Sequence, residues 1–315
     1  MNITQTAAFI PSQSRQRWLM LGLVWTLYAS FGITTGTMPP LVEPIVNELG
    51  LSYSQMGLVM GAWQLTYIVT AFPLGVLVDR LGVRKSLGIG ILVVLASLVL
   101  RGMATNFVTL FLSVALFGVG GPIISIGAPK VVAQWFSGNQ RGLATGIYAT
   151  GPVVGAALAL ATASSVVMPL TGSWRGISIV YGAGVLLIAI VWWLLARDAP
   201  AVEPQGKQEQ RQAGDEDDPP LLGIRNVQLL MVMAALTFLM SHGLNNWTPT
   251  LLREGGMSLA QAGAWTAFAT ALGAVGVLFI PSQAKYGRRV LVLGFLLAVS
   301  AAAGVGLELG SGPAL

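Results

Sequence analysis

Long apolar runs separated by short polar links organise this chain. Nine runs of roughly the 20 residues needed to cross a hydrocarbon core fall at 18–38, 56–78, 86–104, 107–133, 143–168, 176–196, 227–247, 259–280 and 290–309. Apolar residues are continuous along each run instead of alternating, which predicts spanning helices and not barrel strands. The longest polar stretch, 197–226, carries the acidic run Asp215-Glu216-Asp217-Asp218 and predicts a linker. This divides the chain into a tail (1–17), a six-helix bundle (18–196), a linker (197–226) and a three-helix partial bundle (227–315).

Charge then orients the helices. Only 9% of residues are charged and 54% are hydrophobic, against about 25% charged in soluble domains. With the N-terminus in the cytoplasm, the inner links hold Arg15, Arg17, Arg80, Arg84, Lys85, Lys130, Arg141, Arg197, Lys207, Arg211, Arg225, Lys285, Arg288 and Arg289. The outer links hold Arg101, Arg175 and Arg253. This bias predicts a cytoplasmic N-terminus. Scattered between apolar runs, the basic residues form no stripe suited to nucleic acid. The chain has no cysteine, so disulfides and thiolate chemistry are excluded. No nucleophile–base pair, metal cluster or phosphate loop is readable, so neither enzyme activity nor a cofactor is expected. The first 17 residues are polar and show no small-residue cleavage site, so no cleaved signal peptide is expected.

The link between the second and third runs concentrates charge: Gly75, three residues, Asp79-Arg80, Leu81, Gly82, Val83, Arg84-Lys85. Glycines at both ends suit a sharp turn, and the charges suit pairing at the membrane surface. The pattern resembles the loop between the second and third helices of the major facilitator superfamily. A degraded copy with Gly287, Arg288 and Arg289 occupies the same place in the second half. The resemblance implies an all-α integral membrane bundle with nine of twelve family helices present (6 + 3), a C-terminally incomplete member. It further implies a monomeric secondary transporter in a bacterial inner membrane, moving a small solute by alternating access. The stretch around Asn245-Asn246-Trp247-Thr248-Pro249 resembles cyanate- and nitroimidazole-type permeases, implying a small polar or anionic solute. A drug or metabolite exporter of the same superfamily and a non-transporting remnant are the alternatives. Drug-proton exporters carry an arginine four residues before Gly118, where this chain has Val114.

The seventh run is unusually polar. Thr237, Ser241, Asn245 and Thr248 share a helical face, with His242 and Asn246 beside it. In the family the first, fourth, seventh and tenth helices line the cavity, so Ser241, His242, Asn245 and Asn246 are candidate solute ligands; interhelical hydrogen bonding is the other reading. His242, the single histidine, is either a neutral hydrogen-bonded side chain, the favoured reading, or the group that takes a coupling proton. Trp25, Tyr28 and Thr35 of the first run, Gln64 and Tyr67 of the second and Tyr148 of the fifth are candidate cavity walls. Arg141 is a gating residue or a topology anchor. Gly151, Pro152 and Gly155 suit close packing with a bend, as do Gly142 with Gly146 and Gly57 with Gly61. Lys130 is expected to snorkel to the headgroups, and Trp174 to sit at the interface.

Overall fold

A computed structural model describes residues 11–199, 223–283 and 288–310. Among the described residues there is no strand, and the helices follow the apolar runs. They are α1 (Pro11–Gly36), a 3-10 turn (Pro39–Leu41), α2 (Val42–Leu49), α3 (Tyr53–Leu81), α4 (Val83–Gly102) and α5 (Phe107–Trp135). There follow α6 (Gly138–Ala149), α7 (Gly151–Thr162), a π-helical turn (Ala163–Val167), α8 (Met168–Thr171) and α9 (Trp174–Leu195). The last are α10 (Arg225–Glu254), α11 (Leu259–Gln283) and α12 (Arg289–Gly310). Among the described residues, seven passages, the last being α10, are long and apolar enough to cross a bilayer. The eighth and ninth runs form α11 and α12.

Several boundaries differ from expectation. α1 begins at Pro11, so the second part of the expected tail is helical. α3 continues through Asp79 and Arg80 to Leu81. The turn into α4 is a single residue, Gly82, at φ +80°, a conformation L side chains rarely adopt. Gly75 does not help that turn. It lies inside α3, facing Ile126 of α5. The fifth passage is broken at Thr150, before Pro152, whose ring cannot continue the hydrogen-bond ladder. Most of the 197–226 linker, along with Lys285 and Gly287 of the second-half copy, lies outside the described residues.

Three helices that start at one end of the bundle open with reciprocal caps: Ser52 with Gln55, Asn106 with Thr109, and Ser258 with Gln261. Each satisfies amide donors that a helix start leaves orphaned. These caps mark the Glu43 end of the bundle; the opposite end carries Asp79.

Glycine sets the closest packing. α1 lies along α7, α3 and α4 along α5, and α4 along α9. A Cβ at Gly32 would fall 1.9 Å from the Pro152 carbonyl oxygen, and one at Gly155 only 2.0 Å from that of Ala29. So the expected packing role of Gly151, Pro152 and Gly155 acquires a partner face on α1. The other pairs behave differently. Gly142, Gly146 and Gly61 have open space, and only Gly57 of its pair meets another unit, through the Trp247 ring. Leu27, Leu87, Ile91, Leu98, Leu110 and Phe117 fill the core between these helices.

The last three helices join the first six through two seams. α11 packs on α7 and the π-helical turn, and α10 packs on the 3-10 turn. Along the first seam Ser164 donates to the Leu259 carbonyl at 3.1 Å, and Gly263 lies against Leu160. Nearer the Asp79 end, residues 225–240 of α10 are mostly exposed.

Candidate functional site

An aromatic cluster sits where α1, α3, α5 and α10 meet. Phe31 packs on Phe117 (4.9 Å between ring centroids) and on Trp63 (5.8 Å). Trp63 also packs on Tyr67 at 6.3 Å and edge-on to His242 at 5.7 Å. Tyr28 bridges Phe31 and Tyr148. Trp25 donates its indole N–H to the Thr150 hydroxyl at 3.0 Å, across the α1–α7 contact. Tyr67 and Ser125 share a hydrogen bond of 2.8 Å. Gln64 buries its side-chain oxygen without a partner. Tyr28, Tyr67, Tyr148 and His242 thus join through Phe31 and Trp63 into one connected wall of rings and polar tips, with Trp25 held separately on Thr150.

The polar stripe of α10 divides. His242 and Asn246 turn toward the first six helices, with His242 between Trp63 and Phe238. Ser241 and Asn245 are exposed and bond within their own helix, Asn245 donating to the Ser241 carbonyl at 2.8 Å. Thr35 is likewise satisfied by the Gly32 carbonyl at 3.0 Å, but it lines a small cavity with Thr34, Met38, Met60, Trp63, Arg101, Val114 and Asn246.

Arg101 is the unexpected member. Counted from sequence as an outer-surface cation, it is buried, with 2% of its surface exposed. Its Nη1 donates to the Thr34 carbonyl at 3.0 Å, and the guanidinium lies over the Phe117 ring at 5.6 Å. Its Nε has no hydrogen-bond partner, and among the described residues it forms no ion pair.

Toward the Glu43 end, the other two cations expected in outer links find acids. Arg253 of α10 grips Glu43 of α2 with two parallel bonds, Nε to Oε2 at 2.7 Å and Nη2 to Oε1 at 2.9 Å. Such a fork fixes direction as well as distance. Arg175 of α9 pairs with Glu48 and donates to the Ala104 carbonyl at 2.8 Å. Trp174, expected at the lipid interface, is buried and gives its indole N–H to Glu48 at 2.5 Å. Glu43 and Glu48 drew no attention in the sequence. The available signal was their rarity: two acids in one short link of a chain so poor in charge.

At the Asp79 end the charged motif is held by neighbours and not by itself. Lys130 of α5 reaches Asp79 at 2.5 Å, which replaces the snorkelling expected of it. Trp192 of α9 donates to the Arg84 carbonyl at 3.0 Å, and Arg84 lies 3.9 Å from Asp198. Arg80 and Lys85 pair with no acid among the described residues. Arg141 is exposed on α6 and likewise forms no ion pair there.

Comparisons with known proteins agree with this architecture. The chain is 31% identical over 159 residues to the "Probable L-galactonate transporter" of Escherichia coli K12, covering 50% of this chain and 35% of that protein. It is 26% identical to the gallate transporter of Pseudomonas putida, covering 89% of this chain and 69% of that one. A crystal structure of a bacterial homologue of the human lysosomal transporter Spinster, inward-facing and unoccupied, superposes with a TM-score of 0.76 at 22% identity, covering 87% of this chain and 64% of that one. This chain therefore spans from about a third to about two thirds of the length of these proteins. These relatives lend no support to the cyanate- and nitroimidazole-type resemblance. The profile of the Major Facilitator Superfamily matches residues 23–314, and the chain belongs to that family of integral membrane proteins.

Proposed function

We propose that the chain forms the solute path of a secondary active transporter, not an enzyme, and that its solute is a small organic acid or polar relative of one. The observation that carries this is the distribution of contacts between the first six helices and the last three. The Glu43–Arg253 fork, the Trp247 ring against Tyr53 and Gly57, and the Ser164–Leu259 bond all lie toward the Glu43 end. The aromatic wall lies deeper, and α10 is exposed beyond it. That is a bundle closed at one end over a central site, as alternating access requires. With the N-terminus in the cytoplasm, the closed end faces outward and the Asp79 motif faces inward. Relatives named for galactonate and gallate support an acidic solute. A monomer in a bacterial inner membrane, with a linker joining two helical units, completes the reading.

In this reading Trp25, Tyr28, Gln64, Tyr67 and Tyr148 hold the solute by stacking and hydrogen bonds. His242 and Asn246 complete the site from α10, with His242 the group through which a coupling proton passes. Ser241, Asn245 and Arg141 play lesser parts. Counterflow of galactonate, gallate and similar acids in proteoliposomes tests the proposal. Folded protein that exchanges none of them overturns it.

The motif at the other end yields a smaller prediction. Asp79→Asn removes an exposed ion pair, for which about 1 kcal/mol is an upper value. Counterflow should slow by no more than about fivefold with insertion intact, Lys130→Gln should behave alike, and the swapped pair Asp79→Lys with Lys130→Asp should recover. Equal rates in the single variants and the wild type would remove the role given to this pair.

A further inference from the structure

Isolated cations inside an apolar bundle are costly unless something negative meets them. Arg101 meets nothing negative among the described residues. One hydrogen bond to the Thr34 carbonyl and the face of Phe117 leave the Nε edge of the guanidinium without a protein partner. That edge, Nε with Nη2, is the one that binds a carboxylate through two parallel bonds. The cavity beside it is lined by the hydroxyl-bearing Thr34 and Thr35 on α1 and by the amide of Asn246 on α10. Its volume is about 10 Å³, room for about one water molecule. Two of its walls, Met38 and Met60, are flexible side chains that adapt to a larger group.

We propose that Arg101 is the carboxylate anchor of the site, taking the acid group on its Nε–Nη2 edge, while Asn246 contacts that group from α10. The proposal rests on the transport reading above and names the solute class: a molecule with a free carboxylate, its remaining part directed toward Trp63 and His242. The anchor lies between the aromatic wall and the Glu43–Arg253 closure. A carboxylate bound there touches both units, and so ties occupancy to closure of the Glu43 end.

The test is ligand-dependent thermal stabilisation of the purified chain in detergent, using gluconate, glucuronate and gallate beside gluconamide, glucose and glucose 6-phosphate. The acids should raise the melting midpoint and the neutral analogues should not. Arg101→Gln should weaken the acid effect at least tenfold in concentration. Arg101→Lys, which keeps the buried charge and loses the fork, should recover part of it. Melting without ligand reports whether either variant is folded, and if Arg101→Gln does not fold, Arg101→Lys and Asn246→Ala decide. Stabilisation shared equally by neutral analogues, or seen only with glucose 6-phosphate, overturns the carboxylate assignment. So does acid stabilisation unchanged in the Arg101 variants, or absent from the wild type. Loss of counterflow with the Arg101-dependent acid response retained removes the transport reading alone. Counterflow retained with no such response removes the anchor alone.

Discussion

Gly155→Leu is expected to abolish counterflow and to lower the melting midpoint of the chain sharply. The reason is backbone meeting backbone. A Cβ at residue 155 lies 2.0 Å from the Ala29 carbonyl oxygen and 3.0 Å from the Ile33 amide nitrogen, and neither can move without shifting α1. The reciprocal contact at Gly32 is equally tight against Pro152. Overpacking costs about 1–3 kcal/mol where side chains can yield; here the helices themselves must part, so the loss should reach or exceed the upper figure. Such separation would also break the Trp25–Thr150 hydrogen bond. The control is internal: Gly146 lies on the same passage with nothing within 4 Å, and Gly146→Leu should be tolerated. Equal melting of the two variants would show that α1 and α7 do not approach as described.

The second large effect is expected at the Glu43–Arg253 fork. Its side chains are about a third exposed, at 37% and 32%, so the pair is worth more than a fully solvated one yet is partly screened. It also joins the short α2 to α10, and so bears on closure more than on folding. Glu43→Arg places two cations together and should open the Glu43 end. A cysteine introduced at Thr35, in a chain that has none of its own, should then react faster with a membrane-impermeant thiol reagent applied from that side. A change of 1.4 kcal/mol in the balance of two states is tenfold in population, so an increase of about tenfold is expected. Combining Glu43→Arg with Arg253→Glu should return labelling to the wild-type rate. Labelling unaffected by the single reversal would mean that the fork does not hold this end closed.

Much of the architecture was legible because lipid imposes a simple rule. A spanning segment must be apolar and helical, so the runs that form the helices could be read directly, seven of them long and apolar enough to cross a bilayer among the described residues, down to the bend at Pro152. The Asp79 motif was legible by its spacing. Partners were not. Asp79 meets Lys130 on another helix, Glu43 meets Arg253 and Thr34 meets Arg101, pairings separated by 51 to 210 positions. Helical periodicity says which residues share a face and not which face opposes it. The same limit explains Trp174, which opens α9 yet is buried, and Asn245, whose polar face is exposed and bonds only within its own helix. Arg101 was hidden by the charge rule itself. Sorting cations by leaflet treats them all as surface groups, and one near a helix end is scored as outside even when its side chain folds inward.

The fifth passage is clamped twice, and the clamps grip different lengths of it. Glycine contacts fasten its middle to α1, and Ser164 with Leu160 fastens its far part to α11. The second grip lands on the π-helical turn itself, since Ser164 lies within Ala163–Val167, a geometry with one residue more per hydrogen-bonded loop than an ordinary helix. Slack there lets the gripped turn move with α11 while the middle stays still on α1. Rocking of one half against the other then needs no slippage along the α1 seam, since the wound-out segment serves as the universal joint.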